Sequence, residues 1–158
     1  MTRPARVFAV ENKLSQIARE PGGRMPEAAV KAAEGKIEGV RAVSIAALAE
    51  KAEHMGVLAA QGRTDNDASA FGAIYDISNA IFGIAGAFGL KALAEAAFSL
   101  CDLADCFRAG EPANWPAIDV HVDGIRLLAG FGDRDMGASA ETILEGLRRV
   151  RARVIPAA

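Results

Sequence analysis

The stretch DISNAIFGIAGAFG, residues Asp76 to Gly89, decides how this chain folds. Its apolar residues recur at threes and fours, the spacing of an amphipathic helix. Yet Gly83, Gly86 and Gly89 stand in it at intervals of three. A glycine inside a helix costs ~1 kcal/mol relative to alanine, so helix stability is not what keeps them there. Advancing ~100° per residue gathers Ile74, Ile77, Ile81, Ile84, Ala85 and Phe88 into a core stripe. The opposite side collects Gly72, Asp76, Asn79, Gly83 and Gly86, with Phe71, Tyr75 and Phe82 beside it as a partly exposed aromatic ridge. Gly83 is one turn beyond Asn79, and its missing side chain leaves that amide open to approach. Small residues around a polar one, rimmed by aromatics, make up a docking surface for another protein. A loosely constrained solvent face, or cover by an N- or C-terminal segment, is the competing reading.

Outward from this helix, glycine and proline punctuate the chain. Pro21, Gly22 and Gly23 stop a short helix over Val10 to Glu20. Pro26 and Glu27 open a long helix to about Gln61, since proline suits the first turn and an acid the positive end of the dipole. Its apolar side is Ile37, Val40, Ala47, Leu48, Ala52, Met55 and Leu58. In the turn GRTDND, Asp65 or Asp67 can cap the glycine-bearing helix, which runs to about Gly89. Leu90 to Ala109 follows with an apolar seam of Leu93, Ala97, Leu100, Ala104 and Phe107. GEPANWP breaks it. Pro116 to about Phe131 then buries Ile118, Val122, Ile125 and Ala129. After GDRDMG, Ala138 to Val154 turns Ile143, Leu147, Val150 and Val154 inward.

No period-two run signals a strand, and short links between helices of similar length make antiparallel neighbours. The expected fold is all-α, an up-and-down antiparallel four-helix bundle with additional N- and C-terminal helical segments. It forms a single domain over 1–158, with an N-terminal extension 1–24, bundle helices over 26–131 and a C-terminal helix over 137–155.

Composition narrows the function. A net charge of −2 supplies no basic field for nucleic acid. The longest apolar run, Ala80 to Leu90, is short of the ~20 residues of a membrane helix. The opening MTRPARVFAVENK lacks the apolar centre of a signal peptide. Cys101 and Cys106 point to different faces of one helix, so neither a disulfide nor a metal pair is implied. These features place the chain in the cytoplasm, without membrane or nucleic-acid partners. GIAGAFGLKA is no phosphate loop, because Leu90 separates Gly89 from Lys91, Ala92 follows, and no strand precedes. Glu95, Asp102 and Asp105 lack the Glu-x-x-His spacing of di-metal bundles and read as solvated charge. Neither a cofactor nor a metal is expected.

The glycine helix resembles that of the histidine phosphotransfer (HPt) family, four-helix bundles that relay a phosphoryl group between receiver domains. That family carries His-x-x-Lys-Gly, five further residues and Gly. Here Asn79-Ala80-Ile81-Phe82-Gly83, then Ile84 to Phe88, then Gly89, reproduces the frame. LKALAEAAFSLCDLAD resembles the family's third helix, and IDVHVDGIRLL and ILEGLRRV its closing helices, so the likeness covers most of the chain after about Pro26. Two positions depart. Asn79 stands where the phosphoacceptor histidine would be, and Phe82 where lysine is usual. A neutral imidazole is nucleophilic; an amide nitrogen, delocalised into its carbonyl, is not. Phenylalanine cannot offset phosphoryl charge. The resemblance therefore implies a two-component phosphorelay protein that is not an enzyme: a degenerate module that binds a response-regulator receiver domain. A histidine kinase is the second choice of partner. The face implied is Gly72, Tyr75, Asp76, Asn79, Phe82, Gly83 and Gly86.

Two alternatives accompany this reading. The chain is an active phosphotransfer protein using His54, an exposed residue on the long helix, or His121, at the edge of the fourth helix's buried face. Or it is a structural, self-associating helical module, a homodimer through Phe71, Tyr75 and Phe82. Trp115 anchors the turn before Pro116. Arg148, Arg149, Arg151 and Arg153 complement the negative end of the last helix, with steering of an acidic partner as their other role.

Overall fold

The structure, a computed structural model, describes residues 25–132, 134 and 136–155. Within them lie five helices and no strand: α1 Pro26–Asp65, α2 Ala70–Ala87, α3 Lys91–Arg108, α4 Trp115–Phe131 and α5 Ala138–Val154. The chain is all-α, as its periodicity predicts. The helix expected over Val10 to Glu20 lies outside the described residues.

The helix ends follow local chemistry. α1 passes Gln61 and stops where Asn66 takes a positive φ of 49°. There the Asp67 N–H donates to the Gly62 carbonyl at 2.8 Å and the Asn66 N–H to Arg63, a Schellman closure. The same pattern ends α2. The Leu90 N–H donates to the Ala85 carbonyl at 2.9 Å, the Gly89 N–H to Gly86, and Gly89 sits at φ +74°, where a Cβ would be strained. One of the three spaced glycines is thus a backbone requirement. Asp67 does not cap α2 through a free N–H of the helix; its carboxylate accepts from the Ser69 N–H and hydroxyl at 2.8 and 2.7 Å. Those bonds, above all from the hydroxyl, hold its pKa below the usual range. At α4, the Asn114 side chain accepts from the Ala117 N–H at 3.1 Å, with proline in the first turn.

Residues up to Gly39 form one compact unit and those from Val40 another. In the first, the described turns of α1 are solvent-facing: Val30 is 57% and Ile37 51% exposed. In the second, Val40 is 53% exposed. Ile37 and Val40 were expected inside; the core-facing run of α1 instead begins at Leu48, the first of its buried residues.

From Leu48 onward all five helices feed one core. α1 supplies Leu48, Ala52, Met55 and Ala59; α2 Phe71, Ile74 and Ile81; α3 Leu93, Leu100 and Leu103; α4 Ile118 and Ile125; α5 Leu144 and Leu147. Alanine at so many of the contacts lets backbones approach closely. At Gly62 the approach is tight, since a Cβ there would lie 2.6 Å from Ala70 Cβ and 2.7 Å from the Trp115 ring.

Pair by pair, the contacts set directions. α2 and α3 run antiparallel, because Phe71 meets Phe107 and Phe82 meets Phe98. α1 and α2 do likewise, with Met55 against Ser78 and Gly62 against Ala70. α1 and α4 are tied by Glu53 with Arg126 and by Arg63 with Asp119. α3 meets α4 through Ser99 and His121. α5 lies along α3 in the same direction, bonded Arg148 to Glu95 at 2.6 Å and Arg151 to Asp102 at 2.7 Å. Glu95 and Asp102, expected as solvated charge, are these cross-ties, and Arg148 and Arg151 are not merely charge at a helix end.

Candidate docking surface

α2 presents two faces of opposite character. Its buried residues are Phe71, Ile74, Ser78, Ile81 and Ala85. That face is turned roughly 50° from the expected stripe, so Ile77, Ile84 and Phe88 are half-buried at its margin. Phe71 moves from the expected exposed ridge into the core. It is 1% exposed, stacked on Trp115 at 4.6 Å and tilted against Phe107 at 5.2 Å. It therefore cannot form part of a homodimer seam. The reason is the α3–α4 corner: Trp115 folds over the start of α2 and draws the ring in. Ser78 is tolerated at full burial because its hydroxyl donates to the Ile74 carbonyl at 2.8 Å, with Met55 Sδ at 3.4 Å.

The other face is bare. Asp76, Asn79, Gly83 and Gly86 are exposed and Gly72 is half-buried. A Cβ placed on Gly72, Gly83 or Gly86 would meet nothing within 4 Å. Among the described residues no neighbouring helix requires these glycines.

Along one margin of this stripe α3 contributes a rim. Phe82, 40% exposed, sits 5.6 Å from Phe98, itself 51% exposed. Tyr75, half-buried, lies under the Arg108 guanidinium at 5.0 Å. Phe98 was not singled out from the sequence. Its signal was there, an aromatic off the seam of Leu93, Ala97, Leu100 and Ala104, but only the α2–α3 pairing shows which patch it joins. Behind the rim, the Cys101 thiol faces the Tyr75 carbonyl at 3.9 Å. Burial, then the charges of Asp102 and Asp105, push its pKa up to about 11, so it is no nucleophile.

The two histidines part company. His54 is exposed on α1, as expected. His121, expected at an edge, is fully buried. Its Nδ1 lies 2.8 Å from the Ala117 carbonyl, which can only accept, so Nδ1 carries the proton. Nε2 is then the lone-pair nitrogen and accepts from the Ser99 hydroxyl at 2.9 Å. Burial lowers the imidazole pKa, against the Ala117 bond, with the Arg151 charge lowering it further. Both ring nitrogens are engaged and no surface reaches them. This is a core hydrogen-bond node rather than a phosphoacceptor.

Among the described residues no group of three or more His, Cys, Asp or Glu side chains is placed to hold a metal ion. By length and composition α2 is apolar enough to cross a membrane, more than the run Ala80 to Leu90 alone indicates. Part of that apolarity closes on the core. No family model, no curated protein and no solved structure matches the chain.

Proposed function

We propose that this chain is a four-helix bundle of the histidine phosphotransfer kind that has kept the docking face and lost the chemistry. The cyclic contacts of α1 with α2, α2 with α3, α3 with α4 and α4 with α1 support the bundle, with α5 as an added helix on α3 and α4. The module binds the receiver domain of a response regulator through Gly72, Tyr75, Asp76, Asn79, Phe82, Gly83 and Gly86, joined by Phe98. Without a nucleophile at position 79 or a cation at position 82, it transfers no phosphoryl group. Its effect is to hold or sequester the regulator.

The observation that carries this reading is the bare stripe around Asn79, glycines that no internal contact requires, beside an exposed aromatic pair. A partner that covered Phe82 and Phe98 would bury roughly 180 Å² of ring surface, taking each side chain as about 200 Å². At ~25 cal/mol per Å² that is about 4.5 kcal/mol of gross driving force, before association costs.

The test is calorimetry of the protein against a panel of receiver domains at physiological salt, with and without phosphoryl donor. At least one receiver should bind, Phe82→Asp should weaken it by about tenfold or more, and no acid-labile phosphate should appear on the chain. Absence of binding across the panel, with Phe82→Asp indistinguishable from the parent, would overturn the reading.

A further inference from the structure

At the Tyr75 end of the docking face stands a cation held unlike the arginines that tie the helices together. Arg126, Arg148 and Arg151 bond carboxylates at 2.5–3.0 Å. Arg108 has no such bond among the described residues. Asp105, one turn back on α3, comes to 3.8 Å, beyond hydrogen-bond reach. What holds the guanidinium instead is the Tyr75 ring, whose centroid lies 5.0 Å from Cζ, inside the ~6 Å of a cation–π contact. Tyr75 belongs to α2 and Arg108 to the last turn of α3, so the contact exists only because these helices pair antiparallel. The Arg108 side chain stays 45% exposed. Its planar fork is pre-oriented on the face, and no described carboxylate takes up its N–H donors.

We infer that Arg108 is the charged specificity element of this face and takes a carboxylate of the docked receiver domain. The inference rests on the receiver-docking reading and names what the partner must bring. A partner that covers Phe82, Phe98 and Tyr75 also strips water from the guanidinium lying on the Tyr75 ring. A charge left unpaired under such cover opposes binding. Asp105 gives little relief, since its own side chain is 69% exposed and stands 3.8 Å away. A carboxylate on the partner meets two N–H groups of the fork at once, a pairing that an ammonium cannot copy. Because Tyr75 already orients the fork, little side-chain freedom is lost on docking. Phe82 and Phe98 then supply the apolar area, while Arg108 selects among receivers by rejecting those with a cation or an apolar group opposite it. Complementing the negative end of α3 explains a positive charge at this position, but lysine would serve that purpose equally and needs no ring on the neighbouring helix.

The experiment is titration calorimetry of the full chain against the receiver that binds it in the panel above, at about 50 and about 500 mM NaCl. Arg108→Gln should weaken binding by about tenfold or more at the lower salt, and by less at the higher, where screening already weakens the pair. Arg108→Lys should recover only part of the loss. Asp105→Asn should bind more tightly than the parent, because the guanidinium no longer shares its charge. On the receiver, each exposed Asp and Glu is changed in turn to its amide. One such change should cost nothing further once Arg108 is replaced, the signature of a direct pair. Urea midpoints close to the parent's separate lost binding from lost folding. Arg108→Gln binding like the parent, or a loss with no coupled carboxylate on the receiver, overturns the inference and leaves receiver docking standing. A panel in which no receiver binds overturns both.

Discussion

Replacing Gly83 with alanine should make this protein more stable. Gly83 lies in the interior of α2, and a Cβ there would touch nothing within 4 Å. The substitution then expresses helix propensity alone, a gain of about 0.8–1 kcal/mol, part of it from a less flexible unfolded chain. For a domain of this size that is roughly 2–4 °C in Tm. Gly86, in the last turn, should show the same sign with a smaller gain. Gly62→Ala is the matched opposite, because its Cβ would press Ala70 at 2.6 Å and the Trp115 ring at 2.7 Å. Overpacking of that kind costs about 1–3 kcal/mol. Urea unfolding followed by circular dichroism, with unchanged m-value, should therefore move the midpoint up for Gly83→Ala and down for Gly62→Ala. A Gly83→Ala protein no more stable than the parent would refute the reasoning, since it would mean that something packs on this stripe in solution. On the proposed function, the substitution is unused because the receiver domain needs this surface bare. Gly83→Gln, equally able to form helix, should weaken receiver binding while keeping the gain in stability.

Three further outcomes are expected. His121 is held neutral by burial, its pKa below the ordinary 6.5, so its contribution is whole above that value. As pH falls below it the unfolded chain takes up a proton the folded one refuses, and stability drops by up to ~1.4 kcal/mol per pH unit. Urea midpoints between about pH 7.5 and about pH 5 should slope less in His121→Gln; equal slopes would refute the assignment. The carboxyls lowered by their partners, Glu53 by Arg126 and Asp67 by Ser69, lose their contribution only as pH falls below 4.5 and 3.8, outside that window. Asn79→His alone should accept phosphoryl poorly from a phosphorylated receiver, because Phe82 brings no positive charge; efficient uptake would show that position 82 matters little. Phe71→Ala should cost about 3–5 kcal/mol in unfolding free energy, whereas Phe98→Ala should change it by less than about 1 kcal/mol, a contrast that fails if both rings belong to one exposed ridge.

Much of this protein is legible in its sequence because helices are local. The 3.6-residue period of Leu93, Ala97, Leu100, Ala104 and Phe107, or of Ile118, Val122, Ile125 and Ala129, identifies both element and inward face, and each of these residues is buried. Proline at the start of α1 and α4, and glycine after α2, set ends through bonds that reach only a few residues along the chain. The open stripe from Asp76 to Gly86 is legible for the same reason, since one helical wheel contains it. What tertiary structure alone decided is where a second chain segment arrives. Phe71 is a core ring because Trp115, far along the chain, stacks on it; Phe98 joins Phe82 because α3 runs antiparallel to α2; Asp102 is a tie because α5 brings Arg151. Ile37 and Val40 carry the pattern of a core face yet stay exposed, for periodicity states only that a helix has an apolar side. Whether that side is covered depends on long-range packing, which no local pattern contains.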